Sequence, residues 1–340
     1  MRWLVTGGTG FIGANLVRHL VARGEQVRCV VRKPNEALAG LPIELVSAPL
    51  AAGLAAEAAL ARAAEGCAGV YHLAGAFDPS PGGIARMDEI HVGATAALLR
   101  ACEQAGVGRF LLCSSSITVG WGPRSAPGTE DTPLDPAVYG PPGGALRAYH
   151  DSKAAAEALV GAWRGGQGVI VNPDYIVGAW DVKPTSGQLV LTMGQRPVPF
   201  YPRGGKCFME AEACAEGHRL AMERGVPGRR YLLGTENASY REFMGIIAEV
   251  TGQRPPFLPL PGVAVRGAAF VAPRLARLDP HRFAGLDPWV LRAMQQERYR
   301  DGARARQELG VAAPALRVAV ERAWRWFVDH GRVSGRRRAS

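Results

Sequence analysis

In the first half of the chain, short apolar runs alternate with longer stretches whose apolar residues recur every three or four positions. The runs at 2–6, 26–32, 43–46, 69–73, 109–114 and 168–172 are too short for helices and predict buried strands. The stretches at 11–23, 57–65, 84–105 and 146–163 predict helices between them. Strands that alternate with helices are joined by right-handed crossovers, so the expected core is α/β, a parallel, doubly wound sheet.

After Asn172 the texture changes. Proline and glycine crowd 173–205, which predicts long loops around short elements. Helical periodicity returns at 211–224, 240–251, 263–278 and 316–330, with Pro314 just ahead of the last. The expected organisation is a core over 1–172 and a smaller, mainly helical region over 173–331, interleaved with it. A frayed basic tail follows at 332–340. No internal repeat is visible.

The first strand runs into TGGTGFIG (6–13), which places Gly7, Gly10 and Gly13 at three-residue spacing before an apolar-periodic helix. A strand that turns sharply into a helix needs glycine where a Cβ would block close approach. The helix start then offers free N–H groups and a favourable dipole to a pyrophosphate. A glycine triplet alone is weak evidence; its place between a strand and a helix makes it a dinucleotide-binding signal and the core a Rossmann sheet. Gly7, Gly10, Phe11, Ile12 and Gly13 are the expected phosphate contacts. The second strand ends in RCVVRKP, without the acid that binds the ribose 2′-hydroxyl of NAD. Arg32 and Lys33 stand there instead, so NADP(H) is the expected cofactor, with NAD(H) the alternative.

Tyr149 and Lys153 are four residues apart in the helical stretch AYHDSKAAAEALV and therefore share a face. A lysine cation near a phenol is expected to lower its pKa, leaving it able to exchange a proton with a substrate oxygen. The fifth strand ends in LLCSSSITVG, whose Ser114, Ser115 and Ser116 compete to hold the same oxygen at the carboxyl edge of the sheet. His150, one step round from Tyr149, is expected on the helix surface, and His72 within the core. Trp121 and Tyr139 fall on loops expected to flank the cleft.

Hydrophobic residues make up 47% of the chain, enough for a substantial core. The N-terminus has neither a signal peptide's pattern nor a membrane span's length. Cys29, Cys67, Cys102, Cys113, Cys207 and Cys214 form no C-x-x-C pair and stand at no metal-ligand spacing, so reduced thiols in a cytoplasmic protein are expected, without zinc or other metal. The net charge is +10. Arg332, Arg336, Arg337 and Arg338 crowd the tail and the other charges are scattered, so nucleic-acid binding is not expected. Attraction of an anionic cofactor or substrate accounts for the balance better. The amphipathic stretch 263–278 allows weak contact with a membrane surface, with a packed helix the favoured reading.

Taken in order, the phosphate loop, VYHLAG (70–75), the serine strand, Tyr149–Lys153, VNPDYIVGAWDVKPT (171–185) and RDGARARQELG (300–310) resemble an extended short-chain dehydrogenase/reductase over nearly the whole chain. The NP and DVKPT segments are most similar to hopanoid-associated sugar epimerases and dihydroflavonol-4-reductase-like proteins. The resemblance implies that Ser116 is the catalytic serine, beside Tyr149 and Lys153. It implies that Leu73, Ala74 and Gly75 line the cofactor, that Pro173 and Ile176 lie near the nicotinamide, and that residues 181–185 and Arg203 line the substrate cleft. It also implies a homodimer through the helices at 84–105 and 146–163. Three positions depart from the family pattern: Pro49 replaces an acid, His91 an asparagine, and Glu212 with Ala213 a pair of aspartates.

The expected activity is NADP-linked reduction of a carbonyl, or oxidation of an alcohol, on a small-molecule substrate. A sugar-nucleotide epimerase or dehydratase would use the same residues; Ile117 and Thr118 offer no carboxylate after the serines, which counts against a dehydratase. A non-catalytic dinucleotide-binding protein is the third reading, against which the intact Ser/Tyr/Lys set speaks.

Overall fold

The computed structural model describes residues 1–80, 82–261, 267 and 288–333. Its centre is a seven-stranded sheet whose strands, in spatial order, are β10 (Arg230–Leu233), β6 (Gln167–Pro173), β5 (Arg109–Cys113), β4 (Gly69–His72), β1 (Arg2–Thr6), β2 (Gln26–Val30) and β3 (Glu44–Val46). Every neighbouring pair is parallel. Successive side chains leave opposite faces, so Leu4, Val70, Phe110 and Ile170 pack under one helical layer while Val5, Tyr71, Leu111 and Val169 pack under the other. Both faces are covered, which is why the strands read as unbroken apolar runs.

The first layer holds α2 (Leu54–Ala64), α4 (Ala94–Ala105) and α5 (Ala145–Ala162); the second holds α1 (Phe11–Ala22) and α7 (Ala211–Arg224). The strand order reverses at β1, with β2 on one side and β4 on the other. Ligands of doubly wound sheets bind in the crevice beyond the strand ends at such a switch point. Here the phosphate loop after β1 meets the Leu73–Gly75 segment after β4.

The expected strand at 26–32 stops at Val30, so Arg32 and Lys33 lie in the following loop, both exposed. The expected single helix at 84–105 is divided into α3 (Gly83–Asp88), a widened π-type turn over Glu89–Gly93, and α4. Such a turn inserts one residue into the helical ladder and re-aims its side chains.

Past residue 173 the chain builds a four-stranded sheet from β7 (Tyr175–Val177), β9 (Gly205–Glu210), β11 (Glu236–Ser239) and β13 (Glu297–Arg298). A short pair, β8 (Phe200–Tyr201) with β12 (Leu258–Pro259), stands apart. Around them pack α6 (Gln188–Gln195), α8 (Tyr240–Thr251) and α10 (Leu316–Asp329), closing a third core about Val190, Phe208, Phe243 and Phe327. Helix α9 (Pro288–Met294) precedes β13. The chain returns through α7 to give β10, so the central sheet takes its edge strand from beyond residue 172 and the two regions interleave. The expected helix at 263–278 and the tail arginines 336–338 lie outside the described residues.

Candidate functional site

The glycine loop is shaped by close packing. Gly7 has φ +74°, and a Cβ on it would lie 2.5 Å from the Ala74 nitrogen. A Cβ on Gly13 would lie 2.1 Å from the Gly7 carbonyl oxygen. Gly10 opens α1 in extended conformation, and no side chain caps the helix start. Its free N–H groups are therefore available to an anion, as a pyrophosphate requires. Phe11, Ile12 and Leu73 pack against the core face, where Ile176 is buried. Asn35 in the loop after Val30 donates to the Thr9 carbonyl at 3.0 Å and ties the Arg32–Lys33 segment to the glycine loop. Sequence reasoning passed over Asn35. This set fits a dinucleotide: a cradle that side chains would fill, an uncapped helix start, and two exposed cations at the second strand's end.

Beyond β4, the Thr6 hydroxyl, His72 and the Thr95 hydroxyl form a buried chain, with contacts of 2.7 and 3.1 Å to the two ring nitrogens. Burial holds the His72 pKa down to about 3, so it is a neutral core residue, as expected.

Tyr149 and Lys153 rise from α5 toward the same crevice. The Lys153 ammonium is buried and donates to the Cys113 carbonyl at 3.1 Å. A Cβ on Gly75 would come within 3.0 Å of it. Burial depresses the Lys153 pKa, opposed by nearby Cys113 and Glu157. The phenol departs from expectation. Burial pushes the Tyr149 pKa up to about 12, with a hydrogen bond to Ser115 acting against it. Desolvation of the phenolate is the largest effect, and the shift runs opposite to the lowering expected from Lys153. Tyr149 is therefore a neutral phenol at ordinary pH.

The three serines divide their work. Ser114 donates to Glu157, Ser115 bonds to Tyr149, and Ser116 begins the 3-10 turn Ser116–Thr118 and lines the same cavity as Tyr149. Glu157, one turn beyond Lys153, also accepts from Thr118, Asn172 and Arg230. It ties α5 to β5, β6 and β10, a role that no local pattern announced.

The π-type turn places His91 against this machinery. Its Nε2 accepts from the Ala76 N–H at 3.1 Å and its Nδ1 meets Ser152 Oγ at 2.8 Å. Its ring lies edge-on to Tyr149 at 5.5 Å, and Phe77 also meets Tyr149 edge-on at 5.7 Å. Burial and the Lys153 charge hold the His91 pKa down to about 2, so the ring is neutral.

Tyr149, Ser115 and Ser116 line a cavity of about 320 Å³. Its lining includes the charged residues Asp174, Lys206, Arg298 and Arg300 and the apolar residues Phe77, Leu146, Val290, Ala293 and Met294. Residues 181–185 and Arg203 do not line it. Asp181 instead accepts from the backbone of Thr185 and Gly187 and shapes the turn before α6. His150 is buried rather than on the surface, 5.5 Å from the Tyr139 ring, because the Pro136–Tyr139 turn folds over α5. A second cavity of about 430 Å³, between α1 and α10, has Arg18 stacked over Trp180 at 3.2 Å and shares no lining residue with the first. The six cysteines are buried and unpaired.

Comparison with known proteins agrees with this geometry. The family model for the NAD dependent epimerase/dehydratase family matches residues 3–234. The chain is 34% identical to a putative dihydroflavonol 4-reductase of Synechocystis, across 97% of this chain and 96% of that one. It is 31% identical to sterol demethylase protein B of Methylococcus capsulatus, across 98% and 100%. Among solved structures it resembles a nucleoside-diphosphate-sugar epimerase from Pseudomonas aeruginosa, with a TM-score of 0.77 and 27% identity, covering 98% and 99% of the chains.

Proposed function

Starting from a chain that belongs to the NAD dependent epimerase/dehydratase family and is an oxidoreductase using a nicotinamide dinucleotide, we propose that it reduces a carbonyl group of a small-molecule substrate with NADPH. The observation that carries this reading is the neutral Tyr149 phenol, its pKa pushed up to about 12, on the wall of the substrate-sized cavity. Reduction needs a proton donor at the carbonyl oxygen from the outset. Alcohol oxidation, the first half of an epimerisation, needs a phenolate instead. Burial favours the donor.

Gly7, Gly10, Phe11, Ile12 and Gly13 hold the pyrophosphate; Leu73, Ala74, Gly75, Pro173 and Ile176 border the nicotinamide side. Arg32 and Lys33 meet the 2′-phosphate. The dinucleotide, when bound, supplies the hydride. Tyr149 delivers the proton to the substrate oxygen, Ser115 and Ser116 hold that oxygen, and Lys153 stabilises the negative charge left on the phenol. A homodimer through α4 and α5 is part of the same proposal, and sedimentation velocity checks it.

A panel of carbonyl compounds followed by NADPH absorbance tests the proposal, with Tyr149→Phe as control. Turnover lost in that variant, with NADPH binding kept, is the expected result. Epimerisation of a sugar nucleotide without added cofactor would overturn it. The variants Ser115→Ala and Ser116→Ala then tell which hydroxyl carries the larger share.

A further inference from the structure

Arg298 is a buried cation in the Tyr149 cavity with no acid bonded to it among the described residues. It is 6% exposed. Its Nε and Nη2 both donate to the Gln296 side-chain oxygen, at 3.2 and 2.9 Å. The guanidinium lies over the Trp121 ring at 4.2 Å and the Tyr139 ring at 5.2 Å, which fixes its plane. Among the described residues, no carboxylate bonds to it. The other buried arginines of the described residues are treated differently: Arg219, on α7, meets Glu216 and Glu223, and Arg300 meets Asp174 at 2.6 Å. Asp174 is the carboxylate lining this cavity, and it is already held by Arg300 and by Lys206 at 3.1 Å. Among the described residues, three cations thus face one carboxylate.

A buried guanidinium left unpaired is costly, and the cost falls when an anion arrives to share it. Its planar edge suits a carboxylate, to which arginine bonds in parallel fashion. In the same lining, Phe77, Leu146, Ala293 and Met294 offer no polar partner and suit an apolar body.

We propose that Arg298 anchors a carboxylate of the substrate, so that the enzyme takes carbonyl compounds with an apolar body and an acidic group. The proposal rests on the reading of this cavity as the carbonyl-reduction site. Trp121 and Tyr139, expected to flank the cleft, act here by holding the guanidinium plane.

The test uses benzoyl-substituted acetate, propionate, butyrate and valerate, each beside its methyl ester. Binding to the enzyme saturated with NADP⁺ is measured by calorimetry, and turnover with NADPH by absorbance. The acid of best-fitting length is expected to bind about tenfold or more tightly than its ester. In Arg298→Gln that ratio collapses toward one, and Arg298→Lys restores part of it. Equal binding of acids and esters to the wild-type protein overturns the anchor, even if Arg298→Gln fails to fold. An acid preference that survives in Arg298→Gln overturns it as well. Acids that bind selectively but are never reduced support the anchor and sink the reductase reading. Esters reduced as readily as acids do the reverse.

Discussion

The backbone N–H of Ala76 donates to Nε2 of His91 at 3.1 Å and so fixes the imidazole tautomer. Nδ1–H then donates to Ser152 Oγ at 2.8 Å, and that hydroxyl donates to the Tyr149 carbonyl at 3.2 Å. One side chain thereby joins the segment after β4 to the turn of α5 that carries Tyr149 and Lys153. His91→Ala should lower kcat roughly tenfold to a hundredfold, with a smaller change in KM, because the proton donor loses its register. His91→Asn keeps a donor and an acceptor and should recover most of the loss. Steady-state kinetics of both variants decide; equal damage from both would remove the positioning role.

Acid should destabilise the fold steeply. Burial holds the folded-state pKa of His72 down to about 3, of His91 to about 2 and of His218 to about 4. These histidines are neutral in the fold and take up protons below about pH 6.5 once unfolded. The unfolded chain binds more protons, so their contribution is present above about pH 6.5 and is lost as pH falls toward the folded values, at about 1.4 kcal/mol per pH unit for each. Urea midpoints measured between about pH 7.5 and pH 4.5 check this. His91→Asn should show a shallower slope, and an unchanged slope would count against the assignment.

The two directions of the reaction should respond differently to pH. With the Tyr149 pKa pushed up to about 12, the phenol stays protonated through the neutral range. Carbonyl reduction should be flat there, while alcohol oxidation should rise as the phenolate fraction grows, by up to about tenfold per pH unit. Initial rates in both directions across that range are the measurement. A reduction rate that falls on a neutral pKa would point to another donor.

Gly13→Ala tests the cradle. The new Cβ would sit 2.1 Å from the Gly7 oxygen and 2.9 Å from the Gly8 Cα, backbone that cannot swing away. A cost of about 1–3 kcal/mol is expected from overpacking, seen as a lower melting temperature. Dinucleotide affinity should fall with it, measured by quenching of intrinsic fluorescence. An unaffected affinity would mean that the loop does not hold the phosphates.

Arg32 and Lys33 are exposed, so replacing both with alanine should leave the melting temperature within about a degree. The KM for NADPH should rise about tenfold or more relative to that for NADH. Equal effects on the two cofactors would leave the 2′-phosphate without its proposed partners.

What the sequence determined by itself is what short segments encode. The first strand, the glycine turn and α1 follow from neighbouring residues, because a turn's dihedrals and a helix face are local properties. The spacing of Tyr149 and Lys153 placed both on one side of α5 for the same reason. Tertiary structure decided the rest. That β10 completes the sheet, that Ser115 bonds to the phenol, that Glu157 gathers four partners, and that Arg298 enters the Tyr149 cavity with no acid bonded to it among the described residues all depend on which distant segments meet. The phenol's raised pKa belongs with them: helical spacing brings a cation near in sequence, but solvent exclusion by the surrounding chain sets the direction of the shift. Burial is a property of the assembled fold, and electrostatics at this site follow burial before they follow spacing.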